Sequence, residues 1–138
     1  MPVDATQPYD DQNVFAKILR GEIPSDRVYE DEHTIAFRDI NPQAPEHILV
    51  IPRGAYVSWD DFSARGSDAE IAGFVRAVGT VARNAGWVGS GYRVLANVGR
   101  DGHQEVPHLH AHVFAGGPLG PMLASPDVID RLIAKMGG

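Results

Sequence analysis

Cysteine is absent from the 138-residue chain, which excludes a disulfide framework, an iron–sulfur or zinc-thiolate site and a thiol nucleophile. That absence fits a reducing compartment. A basic run is missing as well: 12 Lys and Arg stand against 18 Asp and Glu, a net charge of −6. A protein that neutralises a phosphate backbone needs the opposite balance, so polymeric nucleic acid is a poor partner. Long apolar runs are also lacking. The strongest, Ile48 to Ile51, is far too short to span a bilayer, and the opening MPVDATQPYDDQ has neither a basic nor an apolar leader region. A cytoplasmic protein without membrane partners is expected. The length falls within the roughly 100–200 residues of one domain, so one site should carry the function.

What is present organises as follows. Residues 1–12 read as a flexible lead-in, 13–123 as the domain and 124–138 as a tail with a short helix over Pro126–Met136. Apolar residues at 14, 15, 18 and 19 have helical spacing after Asn13 as cap, and Gly21 stops that helix. Arg27–Glu30 and Thr34–Arg38 form a hairpin pattern around Asp31-Glu32-His33, with His33 read as solvated. His47–Pro52 has the length and β-branching of a buried strand. Ser67-Asp-Ala-Glu70 is a capping box, and apolar residues at 71, 74, 75, 78, 81, 82 and 85 follow until Gly86. Tyr92–Asn97 and Pro107–Phe114 read as two further strands, joined by a loop with the turn signal Asp101-Gly102. Five strands with short connections and two main helices predict an α+β domain on an antiparallel sheet.

The chemistry concentrates in His108-Leu-His-Ala-His-Val-Phe114. Strand side chains alternate, so His108, His110 and His112 share one face while Leu109, Ala111 and Val113 take the other. Three neighbouring imidazoles repel one another when protonated and pack poorly, which speaks against a coincidental surface strand. Two chemical readings follow. One is a tri-histidine metal site, although no Asp or Glu pair nearby obviously completes the sphere. The other is nucleophilic catalysis, in which a neutral imidazole attacks phosphorus while a hydrogen bond orients its second nitrogen. Asp39 shares a side with Phe37, where an apolar residue would be expected; an Asx turn before Asn41-Pro42 explains it equally well.

His-x-His-x-His followed by two apolar residues and preceded by Gln104-Glu-Val-Pro107 resembles the signature of the histidine triad superfamily. The likeness extends over Val14–Pro24, Ala36–Pro52 and Gly116–Met122, which are similar to bacterial histidine triad nucleotide-binding proteins, the purine nucleoside phosphoramidases. This resemblance implies a homodimer with one ten-stranded sheet, no cofactor, and cleavage of nucleoside 5′-phosphoramidates through a nucleotidyl-histidine intermediate. By position, His110 is the nucleophile, His112 and His47 line the phosphate site, and His108 lends its carbonyl to hold the His110 tautomer. Asn97, Gln104 and the amides of Glu105 and Val106 would hold phosphate oxygens. Asp39 would grip the ribose hydroxyls, and Val14, Phe15, Ile18, Phe37, Ile40 and Leu49 would form the slot for a purine base, though each could be ordinary core.

The chain also departs from that pattern. Many relatives carry a Cys-x-x-Cys and a further histidine that bind a structural zinc, where this chain has Asn13, Ala16 and Ala55; no metal is expected. Glu105 stands at a serine position, His103 at a common glycine, and Pro107 at an aromatic or aliphatic residue. Alternative functions are a dinucleoside polyphosphate hydrolase, which the Gly-Gly and Pro-Leu-Gly-Pro-Met segments after the triad disfavour, and a nucleotide-binding adaptor with incidental hydrolysis. Gly73 and Gly79 among the apolar residues of the long helix suggest a dimer contact.

Overall fold

The computed structural model describes residues 2–137. Its elements run α1 (Val14–Leu19), β1 (Arg27–Glu30), β2 (Thr34–Arg38), β3 (Glu46–Pro52), α2 (Trp59–Arg65), α3 (Asp68–Asn84), β4 (Arg93–Leu95), β5 (Ala111–Ala115) and α4 (Pro126–Lys135). The five strands form one antiparallel sheet in the order β1-β2-β3-β5-β4. Among the described residues, no helix is long and apolar enough to cross a membrane.

β3 lies at the centre of the sheet and is buried on both faces, which is why its sequence is continuously apolar instead of alternating. Ile48 and Val50 pack with Ala36, Leu109, Ala111 and Val113 against Phe62 of α2 and Phe74, Ala77, Val81 and Ala82 of α3. On the opposite face, Leu49 and Ile51 join Ile35 and Phe37 beneath Phe15 and Ile18 of α1. That second layer is thin. Fully burying Phe15 and Ile18 contributes about 1.5–3 kcal/mol each, enough to dock a six-residue helix that could not persist alone.

The capping signals operate as expected. Asn13 accepts from the Ala16 amide, Ser67 and Glu70 complete a capping box, and Gly21 and Gly86 follow their helices at positive φ, where glycine bears no Cβ penalty. Several expectations need correction. α2 escaped notice because only Phe62 of its seven residues is buried, leaving no apolar period to read; its Ser58–Asp61 capping box was the available signal. β4 is three residues, shorter than Tyr92–Asn97, and β5 begins at Ala111, so His108 and His110 approach the sheet ahead of the paired strand. On α3, Val75 and Ala85 are exposed and Ala77 takes a buried position. Gly73 serves an internal approach: a Cβ there would stand 3.2 Å from the Cβ of His33. His33 is accordingly half-buried, not solvated.

Residues 2–12 are not a loose lead-in. Val3 is buried, Asp4 caps a turn through Thr6 and Gln7, and Tyr9 reaches the histidine cluster. In the tail, α4 forms behind the Ser125 cap with Pro126 in its first turn, and it buries none of its side chains within this chain.

Candidate active site

The odd–even split of the triad segment is decided by the two layers. Leu109, Ala111 and Val113 fill the α3 side, so the three histidines are driven to the α1 side. There Phe15 meets His110 edge to face, at 5.0 Å between centroids. Register carries the arrangement across the sheet: Leu49 pairs with His112 and His47 with Phe114, which sets His47 beside His112.

Hydrogen bonds fix the tautomer of each ring. The Pro52 carbonyl can only accept, so His108 donates to it from Nε2 at 2.9 Å and accepts the Tyr9 hydroxyl at Nδ1, 2.6 Å away. His110 donates from Nδ1 to the His108 carbonyl at 2.7 Å, which leaves its Nε2 lone pair bare. A second relay starts at the Gln43 amide, which donates to His47 Nδ1 at 3.2 Å. His47 must then donate from Nε2 to His112 Nδ1 at 2.9 Å, and His112 carries its proton on Nε2. The result is a division of labour: His110 offers a lone pair and His112 an N–H.

Burial keeps these rings neutral. Removal from water pushes His108 and His112 down to about 4, and lowers His47 and His110 as well. Asp39 and Glu105 act in the opposite direction on His110, without overcoming its desolvation.

A cleft of about 460 Å³ opens in front of His110 and His112. Phe15, Ile18, Phe37 and Leu49 wall one end, Val14 and Ile40 stand at its rim, and Asp39, Asn97, His103, Glu105 and Val106 also line it. Ile40 is 90% exposed, so it is a lip of the slot instead of a wall. Asp39 makes the Asx turn, its Oδ1 accepting the Asn41 amide at 2.8 Å, and the residue also lines the cleft. His47 and His108 lie behind the cleft and act through their partners.

Gln104 departs from its expected phosphate role. Its amide nitrogen donates to the carbonyls of Val57 and Val106, and its oxygen accepts the Gly99 amide. Both donors are spent, and the side chain is buried. Gln104 braces the 98–106 loop, which follows Asn97 and carries Glu105 and Val106 to the cleft. Asn97 also donates to that loop, at the Gly102 carbonyl.

Tyr9 was invisible in the sequence, a single aromatic in a polar stretch with no period around it. A second group not singled out is Asp39, His47 and His112 taken together, whose ligand atoms lie within 4.8 Å of one another and could hold a metal ion. Asn13, at a zinc-ligand position of many relatives, is committed to capping α1.

The HIT domain matches residues 20–119. An uncharacterised 13.2 kDa HIT-like protein of Azospirillum brasilense is 69% identical over 115 residues, 83% of this chain and 94% of that protein. The purine nucleoside phosphoramidase of Escherichia coli K12 is 46% identical over 114 residues, 83% of this chain and 95% of the enzyme. A HIT family hydrolase from Clostridium thermocellum superposes with a TM-score of 0.73 at 35% identity, covering 83% of this chain and 99% of that structure. With the matched domain spanning most of the chain and its histidines gathered at one cleft, the protein belongs to the HIT domain family.

Proposed function

We propose that the chain is a purine nucleoside phosphoramidase, hydrolysing the P–N bond of nucleoside 5′-monophosphate amides through a nucleotidyl intermediate on His110. The observation that carries this reading is the bare Nε2 of His110, fixed by the 2.7 Å bond from Nδ1 to the His108 carbonyl and facing the cleft. A nucleophile held in one tautomer with a neutral ring is ready to attack without prior deprotonation.

In the first step Nε2 of His110 bonds to phosphorus and the P–N bond breaks, its electron pair leaving with nitrogen, which takes up a proton. In the second, the oxygen of water bonds to phosphorus as the water gives up a proton, the P–Nε2 bond breaks with its electron pair returning to Nε2, and the monophosphate departs. The Nε2–H of His112 and the amides of Glu105 and Val106 stabilise the phosphoryl oxygens, while Asn97 orders their loop. Phe15, Ile18, Phe37 and Leu49 take the base by shape, and Asp39 accepts from the ribose hydroxyls.

The E. coli relative at 46% identity supports this substrate class. Wild-type protein is expected to release amine from an adenosine 5′-phosphoramidate, with rapid quench trapping an adenylyl group on residue 110. Adduct on His108 or His112, or none, would overturn the assignment.

The same proposal includes a homodimer formed through β4. Both outer strands of the sheet have a free edge among the described residues, but β1 guards its own with exposed Arg27 and Glu30, whereas β4 exposes Val94 next to Tyr92. Arg93, the charged residue of β4, is turned onto the Gly120 and Pro121 carbonyls, which leaves that edge the one better suited to pair. Light scattering at micromolar concentration should return twice the 14.9 kDa chain mass; a monomer would contradict it.

A further inference from the structure

His103 is, among the described residues, the one non-glycine residue at positive φ, 62°. A side chain in that conformation is disfavoured, and glycine would occupy it freely. The turn needs the backbone geometry, since the His103 amide closes onto the Arg100 carbonyl at 3.0 Å, but it does not need an imidazole. What the imidazole does is reach the cleft, which it lines together with Glu105. Its Nε2 stands 3.2 Å from Oε1 of Glu105. Glu105 in turn is near enough to act electrostatically on His110.

The proposed reaction leaves one task unfilled. An amine cannot depart from phosphorus as an anion, so nitrogen must gain a proton as the bond breaks. Among the imidazoles in the cleft and directly behind it, His110 contributes a lone pair, its own proton being held by a carbonyl. His47 spends its N–H on His112, whose single N–H serves the phosphoryl oxygens. Burial holds all of these rings in the neutral form, so none arrives with a second proton to give.

We propose that His103 and Glu105 form a proton-donating dyad at the cleft mouth that serves the leaving amine. This rests on the phosphoramidase reading. In its protonated form the His103 ring keeps Nε2–H on the Glu105 carboxylate, 3.2 Å away, and presents Nδ1–H to the departing nitrogen. As the P–N pair moves to nitrogen, the Nδ1 proton joins it and His103 becomes neutral. When water attacks the nucleotidyl-histidine, its oxygen bonds to phosphorus and its proton returns to His103. The Glu105 carboxylate orients the ring and favours amines that leave as, or carry, cations. The disfavoured backbone at position 103 is the cost of placing a ring where glycine would offer none.

The test compares two substrates in wild type, His103→Gly and His103→Asn. One is the alkylamide of adenosine monophosphate, which needs a proton on its leaving group; the other is the 4-nitrophenyl ester, whose phenolate leaves without one. Both substitutions suit positive φ, so the turn is retained. The ratio of kcat/KM for amide over ester should fall about 10- to 100-fold in each variant. An unchanged ratio, whatever happens to the absolute rates, overturns the dyad while leaving the phosphoramidase reading intact. Wild-type protein that cleaves neither substrate and forms no adduct on His110 overturns both.

Discussion

Replacing His110 with alanine should lower turnover of an adenosine 5′-phosphoramidate at least about 10⁴-fold, while the Kd for adenosine monophosphate moves by less than about tenfold. The asymmetry follows from where each free energy is realised. On the proposed reading base and ribose meet Phe15, Phe37, Leu49 and Asp39; Phe15 touches the His110 ring but is seated with Phe37 and Leu49 in the apolar layer under α1, and Asp39 is held by its Asx turn. The transition state meets Nε2, and no neighbour can substitute for it. His112 has its unprotonated nitrogen occupied by the His47 N–H and a proton on the other, and His108 is sealed between Tyr9 and Pro52. Loss of one residue therefore removes the covalent path instead of weakening it. Steady-state kinetics with isothermal titration of the monophosphate checks both halves. A variant retaining a tenth of wild-type turnover would mean that water is activated directly, without His110 as nucleophile.

That division between rings was only partly legible in the sequence. Alternation placed the three histidines on one face, and the apolar character of Leu109, Ala111 and Val113 said which face was core; packing on α3 confirms this. Alternation could not say which nitrogen of each ring is free, because that depends on the Pro52 and His108 carbonyls and on the Gln43 amide, contacts between residues 2 to 56 positions apart. Gln104 shows the converse. Its place in the motif suggested a ligand, but a buried amide in a tight loop saturates its own donors on the nearest carbonyls. Local patterns with a repeating period, such as the long helix α3, were read almost to their ends. Elements with one buried residue, such as α2, and a tether with one aromatic, such as Tyr9, carry no period and became visible only in three dimensions.

The same burial that keeps His110 neutral makes the fold sensitive to acid. Unfolded histidine takes up its proton near 6.5, whereas His108 in the fold resists protonation until about 4 because it is desolvated between Phe15, Tyr9 and the Pro52 carbonyl. Between these values the unfolded chain binds more protons than the native one, so stability rises with pH across the interval. The contribution is fully present above about 6.5 and is lost progressively as pH falls to about 4. For His108 alone, the gap corresponds to about 3 kcal/mol. His112, His47 and His110 are lowered in the same direction and steepen the loss. Carboxylates act elsewhere: Glu70, held below its usual range by the Ser67 amide, begins to matter only under about 4.5. Urea unfolding at pH 7.5, 6.0 and 5.0, at fixed protein concentration, should thus show a falling midpoint already in the upper interval, where the imidazoles alone respond. His108→Gln, which cannot titrate, should flatten that slope even if it lowers stability at neutral pH. A midpoint independent of pH between 7.5 and 5.0 would mean that the histidines gain their protons inside the fold, and the neutral, ready nucleophile assigned to His110 would lose its physical basis.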